Sequence, residues 1–120
     1  MDLNIIQWNA NGIQLKKHQI QAAAGLENID IFLIQESLLQ ETHNFNLPGF
    51  QVYRLHHIRG EGNPRGLVTL VRNSIPNKPV QHNIFCGDRV EALGVEIQLA
   101  DDTYHVYNLY KHHQAQPELE

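Results

Sequence analysis

The 120-residue chain has little of several things, and each shortage narrows its chemistry. It holds one cysteine, Cys86, so no disulfide can close within it, which fits a reducing compartment. No window approaches the ~18 consecutive apolar residues of a membrane-crossing helix, and no membrane partner is expected. The N-terminus leads straight into strand-like sequence, so no secretory leader is expected either. Charged residues make up only 18%, against a usual ~25%. The net charge is −4 with histidine neutral. A broad basic footprint for nucleic acid is therefore lacking, and any such contact must be local. The histidines make no zinc spacing. There are no internal repeats and no low-complexity tract.

What is present is ordinary globular material, with 42% hydrophobic residues in one domain or part of one. Leu3 to Trp8 reads as a strand and Asn9-Ala10-Asn11-Gly12 as a turn, because Asn and Gly tolerate positive φ. Gln14 to Asn28 is expected to be helical. Ile13, Ile20, Ala24 and Glu27 fall near helical spacing, with Lys16, Lys17 and Gln19 on the wet face. Asp30 to Gln35 is a second apolar strand. A polar loop, 37 to 49, ends in Pro48-Gly49. Phe50 to Leu55 alternates as a strand. His56 to Gly66 is a locally basic, glycine-rich loop, and Leu67 to Val71 is a compact apolar strand. Ser74 to Gly87, with Pro76 and Pro79, is expected to be irregular. Val90 to Leu99 alternates, and Asp101-Asp102 turns into Thr103 to Tyr110, which predicts a hairpin. One early helix among many strands predicts an α/β or α+β layered fold with a mixed sheet.

Two strand ends attract attention. The run Ile31 to Gln35 ends on Glu36 and the run Leu3 to Trp8 ends on Asn9, with one helical segment between. A strand–helix–strand unit delivers an amide and a carboxylate to one sheet edge. Glu36 is either a solvated strand-end carboxylate or a ligand for Mg²⁺, which needs only one or two carboxylates plus substrate phosphate. Asn9 and Asn11 are either turn residues or amides that bond a phosphate oxygen or a metal-bound water. Asn108 and Tyr110 lie two apart on the last strand and share a face. Tyr110 is either a core-edge aromatic or a phosphate contact through its hydroxyl. The Arg59-to-Gly66 loop lacks the Gly-Lys-Ser/Thr of a P-loop. It is either a plain hairpin loop or a backbone-phosphate contact through Arg59 and Arg65. His112-His113 is expected to be solvated, and Cys86 carries no catalytic signature.

In order along the chain, Ile5-Ile6-Gln7-Trp8-Asn9-Ala10-Asn11-Gly12, Asp30-Ile31-Phe32-Leu33-Ile34-Gln35-Glu36, Arg65-Gly66-Leu67-Val68-Thr69-Leu70-Val71-Arg72 and Tyr107-Asn108-Leu109-Tyr110 resemble the endonuclease/exonuclease/phosphatase superfamily. The branch they resemble most is the apurinic-like endonuclease domain of non-long-terminal-repeat retrotransposons of the jockey type. The resemblance covers residues 3–110 of a partial domain, with 111–120 as a tail. It implies a four-layer α/β sandwich, represented here by its N-terminal half. It also implies Mg²⁺-dependent phosphodiester hydrolysis of DNA, with Mn²⁺ as a substitute metal.

By the same resemblance Glu36 is the metal ligand, Asn9 an active-site amide and Tyr110 a contact to the scissile phosphate. Asn11, Arg59, Arg65 and Asn108 are the candidate residues for binding phosphate or DNA. The implied partners are DNA, the other half of the domain and a reverse transcriptase. The implied location is intracellular, and nuclear if the protein functions. The chain departs from the family pattern in four places. Ser37 follows Gln35-Glu36 where Thr is common. Leu67 stands where a second Gly is usual. Lys111-His112-His113 replaces a Pro-Asn. A later Asp-x-Asn and a terminal Asp-His, which orient and activate the attacking water, have no counterpart. These 120 residues alone are accordingly expected to be weakly active or inactive, and poorly soluble. The alternatives are a non-catalytic retroelement relic and a phosphatase of the same superfamily.

Overall fold

The computed structural model describes residues 2–60, 63–87 and 90–112, with backbone alone for 81–87. Among the described residues, seven strands and one helix follow in the order β1 (Ile5–Asn9), α1 (Lys17–Leu26), β2 (Ile31–Gln35), β3 (Phe50–Leu55), β4 (Leu67–Arg72), β5 (Asn77–Gly87), β6 (Val90–Leu99) and β7 (Asp102–Lys111). They form two sheets. One is four-stranded in the order β1-β2-β4-β3, and the other is the meander β5-β6-β7. β1 and β2 run parallel, as a helix crossover demands, and the remaining pairs are antiparallel.

Side-chain alternation on β2 and β4 builds two cores, one on each face of the first sheet. Phe32, Ile34, Val68 and Leu70 face α1 and the 37–47 loop, where they meet Ile13, Ile20, Leu39, Phe45 and Leu47. Ile31 and Val71 face the second sheet and meet Val95 and Ile97, with Leu33, Tyr53, Leu99 and Val106 beside them. The described residues thus stack as helix, sheet, sheet. Both faces of β2 are covered, which is why its sequence is a continuous apolar run rather than an alternating one. The far face of the second sheet carries the exposed Tyr107 and Leu109.

Three expectations need correction. Ser74 to Gly87 is not irregular, because β5 begins at Asn77 and runs to Gly87. Pro79 is accommodated because β5 is an edge strand, and its pairing with β6 shifts register between Pro79 and Ile84. The helix starts at Lys17 rather than Gln14 and ends at Leu26. Residues 13–16 form a turn instead, closed by Lys16 N–H on the Ile13 carbonyl at 2.9 Å. Asn28 then takes a left-handed φ of 53°, which ends the segment before β2. Lys16 is not on the wet face. Its Nζ donates to the Ala10 carbonyl at 2.6 Å and lies 5.5 Å from the Trp8 ring centre. This clips the turn after β1 to the helix.

At the start of β2, away from Glu36, Asp30 Oδ2 accepts from Asn4 N–H at 2.9 Å and Oδ1 from Arg72 Nε at 3.3 Å. Arg72 also donates to the Ile29 carbonyl. These contacts tie the ends of β1, β2 and β4 together.

Candidate active site

The register of β1 and β2 pairs Asn9 with Gln35, so the two strand ends lie side by side. Beyond that pair the backbones remain bonded. Gly12 N–H donates to the Glu36 carbonyl at 2.7 Å, and Ile13 N–H to that of Ser37 at 3.1 Å. On the other side Ser37 N–H reaches the Gly66 carbonyl at 3.1 Å and Leu38 N–H that of Arg65 at 3.0 Å. Glu36 therefore sits between the Asn9–Gly12 turn and the Arg65-Gly66 segment. It holds a left-handed φ of 52°, a conformation costing roughly 1–2 kcal/mol for a residue with a Cβ. Its carbonyl and both neighbours are bonded, so the strand end keeps this geometry.

The Glu36 carboxylate collects two partners from other elements. The Tyr110 hydroxyl, from β7 of the second sheet, donates to Oε2. Arg65 Nε lies 3.4 Å from the same oxygen, close enough to attract, though not aligned to hydrogen-bond. The pair is not sealed from water, because the side chains remain 17% and 44% exposed. Its direct contribution to stability is correspondingly small, roughly 0–1 kcal/mol. Burial, reinforced by the bond to Glu36 and its negative charge, pushes the Tyr110 hydroxyl up to about 12. The phenol therefore stays a proton donor across the physiological range.

The other residues singled out in the sequence lie around this cluster. Asn9 is exposed at the end of β1. Asn11 is exposed in the turn with φ 48° and does not continue the strand direction of Asn9. Arg59 is exposed near the tip of the 56–66 loop, which folds on itself through Ile58 N–H to Pro64 at 2.9 Å and His57 Nδ1 to the same carbonyl at 2.8 Å. Glu61 and Gly62 of that loop lie outside the described residues.

Asn108 is placed inside the molecule. Its amide nitrogen donates to the Ile34 and Val68 carbonyls, both at 3.1 Å, and to Thr69 Oγ1 at 3.2 Å. Its oxygen accepts from Gln35 Nε2 at 2.7 Å. Asn108 thus bolts the two sheets together beneath the cluster rather than facing out from it.

His112 departs from expectation, because it is buried instead of solvated, with Nε2 bonded to the buried Glu91. His113 lies outside the described residues. For Cys86 only the backbone is described.

Glu91 is the residue the sequence reading missed. Its two oxygens accept Arg65 N–H at 2.9 Å and Gly66 N–H at 3.0 Å. The only sequence signal was a carboxylate on the inward phase of an alternating strand, where an apolar residue is the norm.

As a cation site the cluster offers hard oxygen. Glu36 Oε1 has no hydrogen-bond partner among the described residues, while Oε2 is held by Tyr110. No group of three His, Cys, Asp or Glu side chains converges among the described residues. That donor set suits Mg²⁺, which retains waters and accepts one or two carboxylates with substrate phosphate, and does not suit a zinc cage.

Comparison with solved structures gives the fold. The endonuclease domain of TRAS1, a telomere-specific non-LTR retrotransposon, superposes with a TM-score of 0.66 at 15% identity, covering 92% of this chain and 46% of that one. The Xenopus laevis APE2 catalytic domain superposes with a TM-score of 0.53 at 18% identity, covering 88% and 44%. The fold is that of the endonuclease/exonuclease/phosphatase superfamily, with under half of such a domain spanned here. In sequence, the chain is 32% identical over 95 residues to the RNA-directed DNA polymerase from mobile element jockey of Drosophila funebris, covering 78% of this chain. It is 28% identical over 80 residues to the probable RNA-directed DNA polymerase from transposon X-element of Drosophila melanogaster, covering 67%. The matches span 10% and 9% of those proteins. No protein-family model matches the sequence. The matches thus include jockey and X-element proteins in sequence, and a retrotransposon endonuclease domain and the APE2 catalytic domain in structure.

Proposed function

We propose that this chain forms the metal- and phosphate-binding side of an endonuclease that hydrolyses phosphodiester bonds in DNA, within a jockey-type retroelement protein. The observation that carries the reading is the Glu36 carboxylate at the end of β2, with the Tyr110 hydroxyl bonded to it and the Arg65 guanidinium 3.4 Å away. An acid, a persistently protonated phenol and a cation at one sheet edge suit a phosphodiester, which needs charge neutralised on its oxygens more than covalent help.

In this reading Glu36 would hold Mg²⁺, or Mn²⁺ in its place, and the ion would supply Lewis-acid stabilisation of charge on the phosphate. Tyr110 fixes the carboxylate by donating its hydroxyl to Oε2. Arg65, half open to water, offers a guanidinium to a phosphate oxygen. Asn9 adds a neutral amide donor beside them, and Asn11 and Arg59 extend contact along the DNA backbone. Asn108 acts from below, holding β7 against β2 and β4 so that Tyr110 reaches Glu36. The attacking water is activated by groups other than these, so hydrolysis by the 120 residues alone is weak. In the full element a polymerase would act on the nicked product, and an element that functions in this way would do so in the nucleus, where chromosomal DNA lies.

Titration with Mn²⁺, followed by broadening of backbone amide signals, tests the metal assignment. Broadening should centre on Glu36 and the adjoining Asn9–Gly12 turn and disappear in Glu36→Gln. Broadening centred elsewhere, or unchanged by the substitution, overturns it.

A further inference from the structure

Glu91 is fully buried, carries no part of the proposed chemistry, and touches both sides of the Glu36 cluster. Its carboxylate takes the consecutive N–H groups of Arg65 and Gly66, a two-amide cradle of the kind that favours an anion. The carbonyls of those residues bond to Leu38 and Ser37, immediately after Glu36. The Arg65 backbone is therefore clamped on one side to β6 and on the other to the strand end that carries Glu36. Gly66 allows the close fit, since a Cβ there would lie 2.5 Å from Ser37 Oγ. His112 Nε2 donates to Glu91 Oε2, and its ring centre stands 5.4 Å from that of Tyr110. Glu91 and Tyr110 are also direct register partners across β6 and β7.

We infer that Glu91 is a positioning residue that holds the Arg65 guanidinium against Glu36 and so sets, from the second sheet, how readily Glu36 takes a divalent cation. The inference rests on Glu36 being the cation ligand. A guanidinium beside a carboxylate competes with a metal for its charge. With the backbone at 65–66 clamped, Arg65 keeps only its side-chain torsions and stays near Oε2 until a phosphate draws it away. A structural carboxylate that merely packed the fold would have no such consequence, and the two roles differ in sign.

The experiment is Mn²⁺ binding to the 120-residue chain, read by water-proton relaxation, in the unsubstituted protein and in Glu36→Gln, Arg65→Ala, Glu91→Gln and the Glu91→Gln/Arg65→Ala double variant. Glu36→Gln should lose the binding, and retention of binding there sinks the metal reading itself. With that reading intact, Arg65→Ala should tighten Mn²⁺ binding about threefold, the worth of one half-exposed ion pair. Glu91→Gln should tighten it in the same direction, and its effect should vanish in the Arg65→Ala background. If Glu91→Gln weakens binding, or changes it equally in both backgrounds, Glu91 does not act through Arg65 and the inference fails. A second measurement decides the matter if Glu91→Gln does not fold. In the unsubstituted chain the Arg65 and Gly66 amide protons should exchange with solvent about 100-fold more slowly than an unbonded loop amide. Free exchange at those two positions overturns the inference.

Discussion

The Tyr110 hydroxyl and the Glu36 carboxylate meet across two different sheets, 74 residues apart in the chain. Neither strand alone makes the contact. It exists because β7 lies over β2, an arrangement secured just below by Asn108 with its bonds to Ile34, Val68, Thr69 and Gln35. The candidate site is therefore a product of sheet-on-sheet packing, and its chemistry should respond to anything that loosens that packing.

Tyr110 should titrate late. Its folded value of about 12 lies above the ordinary 10.0, because burial and the Glu36 carboxylate disfavour the phenolate. The neutral phenol is thus favoured in the folded state. Its stabilising contribution is complete below pH 10 and is lost as pH rises from there through about 12. Carbon-13 signals of the tyrosine rings, followed against pH in EDTA, should show Tyr110 ionising above the ordinary 10.0, toward about 12. In Glu36→Gln its value should move back toward the ordinary one without fully reaching it, since burial remains.

Asn108→Ala should destabilise the fold by about 3 kcal/mol, because it removes the side-chain donor to the buried Ile34 and Val68 carbonyls and the acceptor of the 2.7 Å bond from Gln35 Nε2, which then keeps only the Leu33 carbonyl. Urea unfolding would measure the loss. A cost under about 0.5 kcal/mol, the range of a neutral surface change, would contradict its role as the bolt between sheets.

Gly66→Ala and Gly49→Ala should differ. Both glycines have positive φ, 100° and 87°, so both substitutions strain the backbone by roughly 1 kcal/mol. Only at Gly66 does the added Cβ also meet atoms, with Ser37 Oγ at 2.5 Å and the Leu55 carbonyl oxygen at 3.3 Å. Gly66→Ala should cost about 2–4 kcal/mol in all, and Gly49→Ala about 1. Thermal melts of the pair, run side by side, test this.

Incubated with supercoiled plasmid and Mg²⁺, the purified chain should nick barely above an EDTA control. Efficient nicking that disappears in Glu36→Gln would show that the described residues already include the group that activates water.

The strands were legible wherever alternation or an apolar run was clean. β2 and β4 announce themselves as continuous runs because both their faces are covered, and β6 and β7 do so by alternation. β5 was hidden by its prolines, which an edge strand tolerates and local propensity cannot distinguish from a loop. The ends of β1 and β2 could be read as neighbours because a strand–helix–strand unit forces parallel pairing. Arg65 was visible as part of a basic loop, although which of its two arginines approaches Glu36 was not.

Local sequence determined the strand ends, the turn chemistry after Asn9 and the placing of an acid at the mouth of an apolar strand, because each depends on residues within a few positions. The folded state alone decided that Asn108 is buried, that His112 is paired, and that Glu91 clamps Arg65. Those contacts join residues 21 to 74 positions apart. Their geometry follows from which sheet face packs on which, a choice made by the summed burial of apolar side chains and not by any one segment.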